Sequence, residues 1–282
     1  MPGGSKALQS LNQPWWVGFH ADTVARVLTS DYLPLLDWLN QQSSDRGLCT
    51  GRGLPLQFGP QAILPEGHAY EHWIAQTGIV PTRDNYHDRL NALVWLTYPL
   101  TKAALNREQA EAIETQTEPS RRGPVRDAAT LWDENLALIV ERTPDQQLKS
   151  LLEQANWHEL FVAQRSRWGS QWQVYCFGHA LLEKLMSPYK AITAHTIVLT
   201  GQEHRDDGDI DNGIDNGGRG SIHDQRTAME SLDDQLSQRV SAAMSPAVFR
   251  PLPVMGIPGW DPAQDQDDFY QDTAVFRPPR QQ

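Results

Sequence analysis

The chain has 282 residues, 39% of them hydrophobic, with a mean hydropathy of −0.53 and a formal net charge of −11 at pH 7. That length supports a sizeable core in one large domain, and the composition argues against a disordered, collagenous or membrane-embedded chain. There is no basic stripe to neutralise phosphates, so no nucleic-acid partner is expected. No apolar run reaches the roughly 18 residues that cross a bilayer, so no membrane partner is expected either.

The stretch Met1 to Trp16 lacks the basic and then apolar order of a secretory signal. Cys49 and Cys176 form no C-x-x-C pair. A reducing, cytoplasmic setting is the expectation.

In chain order, Val24, Val27, Leu28, Leu35, Leu36 and Leu39 predict a helix over about 22–42, bent at Pro34. A stretch rich in Gly and Pro, 47–65, reads as loop with a short strand at 54–58. Three helices follow at 70–76, 85–98 and 102–115, with Gly78 and Pro99 as the breaks and Thr101 as a cap. A basic loop at Arg121 and Arg122 leads to a long helix over 125–142, and another helix begins near Pro144.

Residues 171–177, 178–186 and 191–199 then read as strand, helix and strand, a small β-α-β element. The repeated Ile-Asp-Asn-Gly at 210–217 has no apolar period, so 201–221 reads as a flexible Gly/Asp-rich insertion. A helix over 225–244 and an extended tail from Pro246 complete the chain. The expected fold is a single, predominantly helical α+β domain over residues 19–278, with a small β-α-β element and an extended C-terminal tail.

Polar residues inside apolar helical stripes carry the chemistry. His87 and Asn91 share a face with Leu90 and Val94, and His179 and Glu183, at i and i+4, share one with Leu182 and Met186. Glu134 and Asn135 interleave with Leu131 and Leu138. Charged groups are rarely buried without partners, so these helices should bring their polar residues together.

The reading that follows is a metal-assisted hydrolase of a small anionic or phosphorylated substrate. In it, His72, His87, Asp88, His179 and Glu183 hold a divalent ion that activates water, and Glu134 is the general base. Arg83, Arg126, Lys102 and Lys190, each after a turn or at the start of an element, supply positive charge for the substrate. The alternative is a non-catalytic protein-binding module whose polar cluster is structural and whose partner surface is the tail or Trp15-Trp16.

Several strings also carry a resemblance: Tyr70-Glu71-His72, Val80-Pro81-Thr82-Arg83-Asp84-Asn85, His87-Asp88, Thr101-Lys102-Ala103, Asp133-Glu134-Asn135, Phe177-Gly178-His179, Pro188-Tyr189-Lys190 and Gly256-Ile257-Pro258-Gly259-Trp260. On these the chain resembles a bacterial family catalogued as domain of unknown function 3025, from about Phe19 to Pro278. The resemblance implies one domain over that span, with 201–221 as an insertion, and brings no mechanism with it.

Overall fold

Residues 11–115, 123–200, 222–266 and 268–278 are described in a computed structural model. The apolar stripe at the start forms two helices, α1 (Ala21–Thr29) and α2 (Tyr32–Asp45), and the chain breaks at Ser30 and Asp31. The expected bend at Pro34 is absent, because Pro34 sits in the first turn of α2, where a missing N–H removes no helical bond.

After β1 (Gln57–Pro60) come α3 (Tyr70–Thr77) and β2 (Ile79–Thr82). Gly78 ends α3 at φ 77°, a left-handed position that favours glycine. The chain then enters β2, which pairs with β1 in parallel.

Helix α4 (Tyr86–Thr97) is capped by the Asn85 side chain, which accepts from the Asp88 amide at 2.8 Å. Its Arg89 is 2% exposed, bonds Asp84, and donates to the carbonyls of Val27 and Ser30, which fixes the α1–α2 corner against α4.

Helix α5 spans Pro99–Glu114, so Pro99 begins the helix instead of breaking it and Thr101 is not its cap. Its first amides are satisfied from far away. The carboxylate of Asp233, on α9 (Ile222–Val240), accepts from the amides of Leu100 and Thr101 at 2.8 and 2.9 Å and from the Thr101 hydroxyl at 2.7 Å.

The helix expected over 125–142 is two elements. Helix α6 (Pro124–Asn135) stops, and β3 (Leu136–Glu141) follows at once. The run Leu-Ala-Leu-Ile-Val is almost wholly buried, as a central strand requires. After α7 (Gln146–Glu153), β4 (Trp172–Cys176), α8 (His179–Leu185) and β5 (Thr193–Thr200) follow in the expected strand-helix-strand order. The two strands do not touch each other, because β3 lies between them, antiparallel to β4 and parallel to β5. Strand β6 (Arg250–Pro253) adds antiparallel to β5, giving the order β4-β3-β5-β6.

The result is a predominantly helical α+β fold. The tail from Pro246 lies on the body as short turns and β6, with Trp260, Phe269 and Phe276 buried. Trp15 and Trp16 are core residues, 2% and 5% exposed, and Trp15 meets Trp260 edge-on at 5.8 Å. Both indoles are therefore packed away. The expected insertion at 201–221 and the Arg121-Arg122 loop lie outside the described residues.

Candidate functional site

The close approach of two helix ends builds the site. Gly178 precedes α8, and a Cβ there would lie 2.5 Å from the amide nitrogen of Asn135 and from the carbonyl oxygen of Glu134. Only a residue without a side chain lets α8 begin against the end of α6, and this sets His179, the first residue of α8, beside Asp133.

Helix α4 packs on α8 and completes the cluster. The Nε2 atoms of His87 and His179 are 3.0 Å apart, and His87 Nδ1 lies 2.9 Å from Glu183 Oε2. On the other side, His179 Nδ1 is 3.8 Å from Asp133 Oδ2 and has no side-chain hydrogen-bond partner among the described residues. Asp133 is held by the Lys102 ammonium, which also donates to Asn91 Oδ1 at 2.8 Å and lies 5.2 Å from the centre of the Trp95 ring. Asn91 in turn donates to the Tyr70 hydroxyl at 3.1 Å.

Burial pushes the His179 imidazole down to about 4, against the opposing pull of Asp133, so the ring is neutral near pH 7. Burial alone would push Asp133 up, but the nearby Lys102 and His179 outweigh it and hold the carboxyl below its ordinary range.

The proton count of the histidine pair follows from these contacts. Glu183 accepts, so His87 Nδ1 carries a hydrogen, and a single hydrogen lies between the two Nε2 atoms. If His179 keeps its one hydrogen on Nδ1, toward Asp133, then His87 carries two. If it keeps that hydrogen on Nε2, His87 carries one. The two arrangements differ by one proton.

The pair opens into a cavity of about 440 Å³. Arg83, His87, Asp88, Arg126, Glu134 and His179 all line it, as do Glu71, Tyr70, Asn91 and Asp133. The structure thus brings together six of the sequence-derived residues on one cavity wall, and Glu183 reaches the cluster through His87. Asp88 is committed to Arg83: its carboxylate accepts from the Arg83 amide, Nε and Nη2 at 2.7, 3.0 and 2.9 Å.

Three residues stand apart from the cavity wall. His72 faces Glu114, 3.5 Å away, on the side where Arg52 binds the same carboxylate. Lys102 lies behind the wall as the partner of Asp133. Lys190 pairs with Asp272 at 3.1 Å and sits over the Phe269 ring, in the tail. Among the described residues, no group of three His, Cys, Asp or Glu is arranged to hold one metal ion.

Two carboxyls were missed as site residues by sequence reasoning. Asp133 follows Trp132 and lies one turn from Ala129, both fully buried, which places an acid on the apolar face of α6. Glu71 lies three and four residues before Ile74 and Ala75, also fully buried. It bonds Asn106 Nδ2 at 2.8 Å, and burial raises its carboxyl above the usual range although Lys102 opposes the shift.

The model of a family described as protein of unknown function, DUF3025, matches residues 56–280, which takes in every residue of the cavity. No curated protein and no solved structure matches the chain. Among the described residues, no helix is long and apolar enough to cross a membrane.

Proposed function

We propose that this chain, which belongs to the DUF3025 family, is a hydrolase of a small anionic or phosphorylated substrate. The observation that carries the reading is the paired Nε2 atoms of His87 and His179, 3.0 Å apart in a cavity that also presents Arg83 and Arg126. His87 takes the proton of an attacking water at Nε2, which gives up its contact with His179 to do so, while Glu183 orients the ring through Nδ1 and His179 stays neutral. Arg83 is 57% exposed even with Asp88 bound, so part of its guanidinium is open to an anion. A cytoplasmic setting fits the free thiols Cys49 and Cys176.

A second reading keeps a divalent ion as cofactor. Two imidazole Nε2 atoms converging at 3.0 Å favour it, since two histidines on one ion bring their nitrogens to a similar separation. In that reading Glu183 braces His87 from behind, while Asp88 stays with Arg83. The side chain of Glu134, expected as general base, has no hydrogen bond or ion pair among the described residues, and in both readings it is open to the ligand.

The test is turnover of a panel of p-nitrophenyl phosphate monoesters, phosphodiesters and carboxylate esters by wild type and His87→Ala. The expected result is turnover of one class, lost by roughly 10²-fold or more in the variant. A wild type that turns over nothing in the panel and binds neither phosphate nor carboxylate supports the non-catalytic protein-binding module instead.

A further inference from the structure

We propose that Tyr70 is a further catalytic residue, whose hydroxyl donates its hydrogen to the substrate oxygen on which negative charge develops. The inference rests on the reading of the cavity as a hydrolase site.

The direction of each hydrogen bond behind this part of the wall is fixed by the groups themselves. The Lys102 ammonium can only donate, so it pairs with Asp133 and, at 2.8 Å, with the side-chain oxygen of Asn91. That turns the amide nitrogen of Asn91 toward Tyr70, 3.1 Å from the phenolic oxygen. An amide nitrogen can only donate as well, so the phenolic oxygen accepts and its own hydrogen points elsewhere. Among the described residues, nothing accepts that hydrogen.

The free hydrogen is on the cavity side. Tyr70, Asn91 and His87 line the cavity, whereas Lys102 does not. With Lys102 behind the wall on the oxygen side of the Asn91 amide, the nitrogen side and the Tyr70 hydroxyl lie toward the opening. His87 and Asn91 are one turn apart on α4, with Cβ atoms about 6 Å apart, which places the hydroxyl within the length of one small substrate from His87.

Burial, reinforced by the charges of Glu71, Asp88 and Asp133, pushes the phenol well above its ordinary value, so it keeps its proton. In the hydrolysis, the water oxygen forms the new bond and its proton goes to His87. The bond to the leaving group breaks, and that proton passes on to the departing oxygen. Tyr70 gives up nothing. Its hydrogen bond, already in place, strengthens as the oxygen it meets turns negative.

The experiment is steady-state kinetics on the ester class that the wild type turns over, with Tyr70→Phe, Asn91→Asp and the double variant, each first shown to be folded by urea unfolding. Tyr70→Phe should lower kcat by about 10²-fold and change KM by less than about threefold, since the lost bond belongs to the transition state. Asn91→Asp keeps the phenol and the contact with Lys102 but offers only accepting oxygens, so the phenolic hydrogen turns from the cavity to the new carboxylate. It should cost as much as Tyr70→Phe, and the double variant should be no worse than either.

An unchanged kcat in Tyr70→Phe, or a loss confined to KM, overturns the inference and leaves the hydrolase reading standing. Losses that multiply in the double variant overturn the orienting role of Asn91 and with it the direction given to the hydrogen. A wild type that turns over no ester overturns the hydrolase reading and this inference with it. If Tyr70→Phe does not fold, Asn91→Asp decides alone, and an undiminished kcat there overturns the inference.

Discussion

The Nε2 atoms of His87 and His179 face each other at 3.0 Å from the first turns of two helices that lie 92 residues apart in the chain. One ring has Glu183 behind it, and the other has Asp133 at 3.8 Å. Each ring nitrogen of the pair is thus assigned to one neighbour, and the expected outcomes below follow from those assignments.

Metal content separates the two chemical readings. Two imidazoles give an ion one protein ligand fewer than the usual three of a catalytic zinc site. The expected result is purified wild-type protein with less than about 0.1 equivalent of transition metal and no change of melting temperature with chelator. A full equivalent of metal, absent from His179→Ala, would transfer the site to the metal reading.

The stability of the protein should depend on pH through His179. Its native value, about 4, lies below the ordinary value of 6.5. Between those limits the unfolded chain binds a proton that the native chain does not, so stability is fully present above about pH 6.5 and is lost as pH falls toward 4. The contribution amounts to about 3 kcal/mol. Glu71 acts in the opposite sense, because its carboxyl is raised, so the measurement is the difference between wild type and His179→Gln in urea unfolding across this window. Parallel curves would show that residue 179 contributes nothing.

Lys102→Met should destabilise the protein by about 3–5 kcal/mol, because it leaves the Asp133 carboxylate buried without its cation. Adding Asp133→Asn should recover much of that loss, since no charge is then stranded. Chemical denaturation of the single and double variants measures the coupling, and additive losses would show that the pair is not linked.

Gly178→Ala should cost about 1–3 kcal/mol, because the new methyl meets backbone atoms that cannot step aside. Gly123→Ala is the control, since a Cβ there meets nothing within 4 Å. Thermal unfolding of both variants tests this, and equal melting temperatures would remove the steric argument for how α8 is placed.

The sequence made His87, His179 and Glu183 legible because i and i+4 spacing inside an apolar stripe admits one reading, a polar group turned toward other polar groups. Lys102 was misplaced for a definite reason. With a helix starting at Lys102, its charge falls at an open end. With α5 starting at Pro99, it falls inside the helix, where it faces Asp133. Strand β3 was hidden because Leu131 and Leu138 continue a helical period straight through the end of α6, and only pairing with β4 and β5 decides between helix and strand there. No local pattern could show that His72 turns to Glu114 or that Lys190 closes the tail.

The grip of Asp233 on the amides of Leu100 and Thr101 also sets a schedule for biosynthesis. Lys102, the next residue along α5, carries the ammonium that holds Asp133. A nascent chain therefore emerges with the start of α5 unsatisfied, and it stays so while more than 130 further residues are made. Both histidines are made before α9, but the helix that anchors their carboxylate neighbour is secured only with it, so a ribosome-stalled fragment ending before α9 would hold the chemistry without the frame that aligns it.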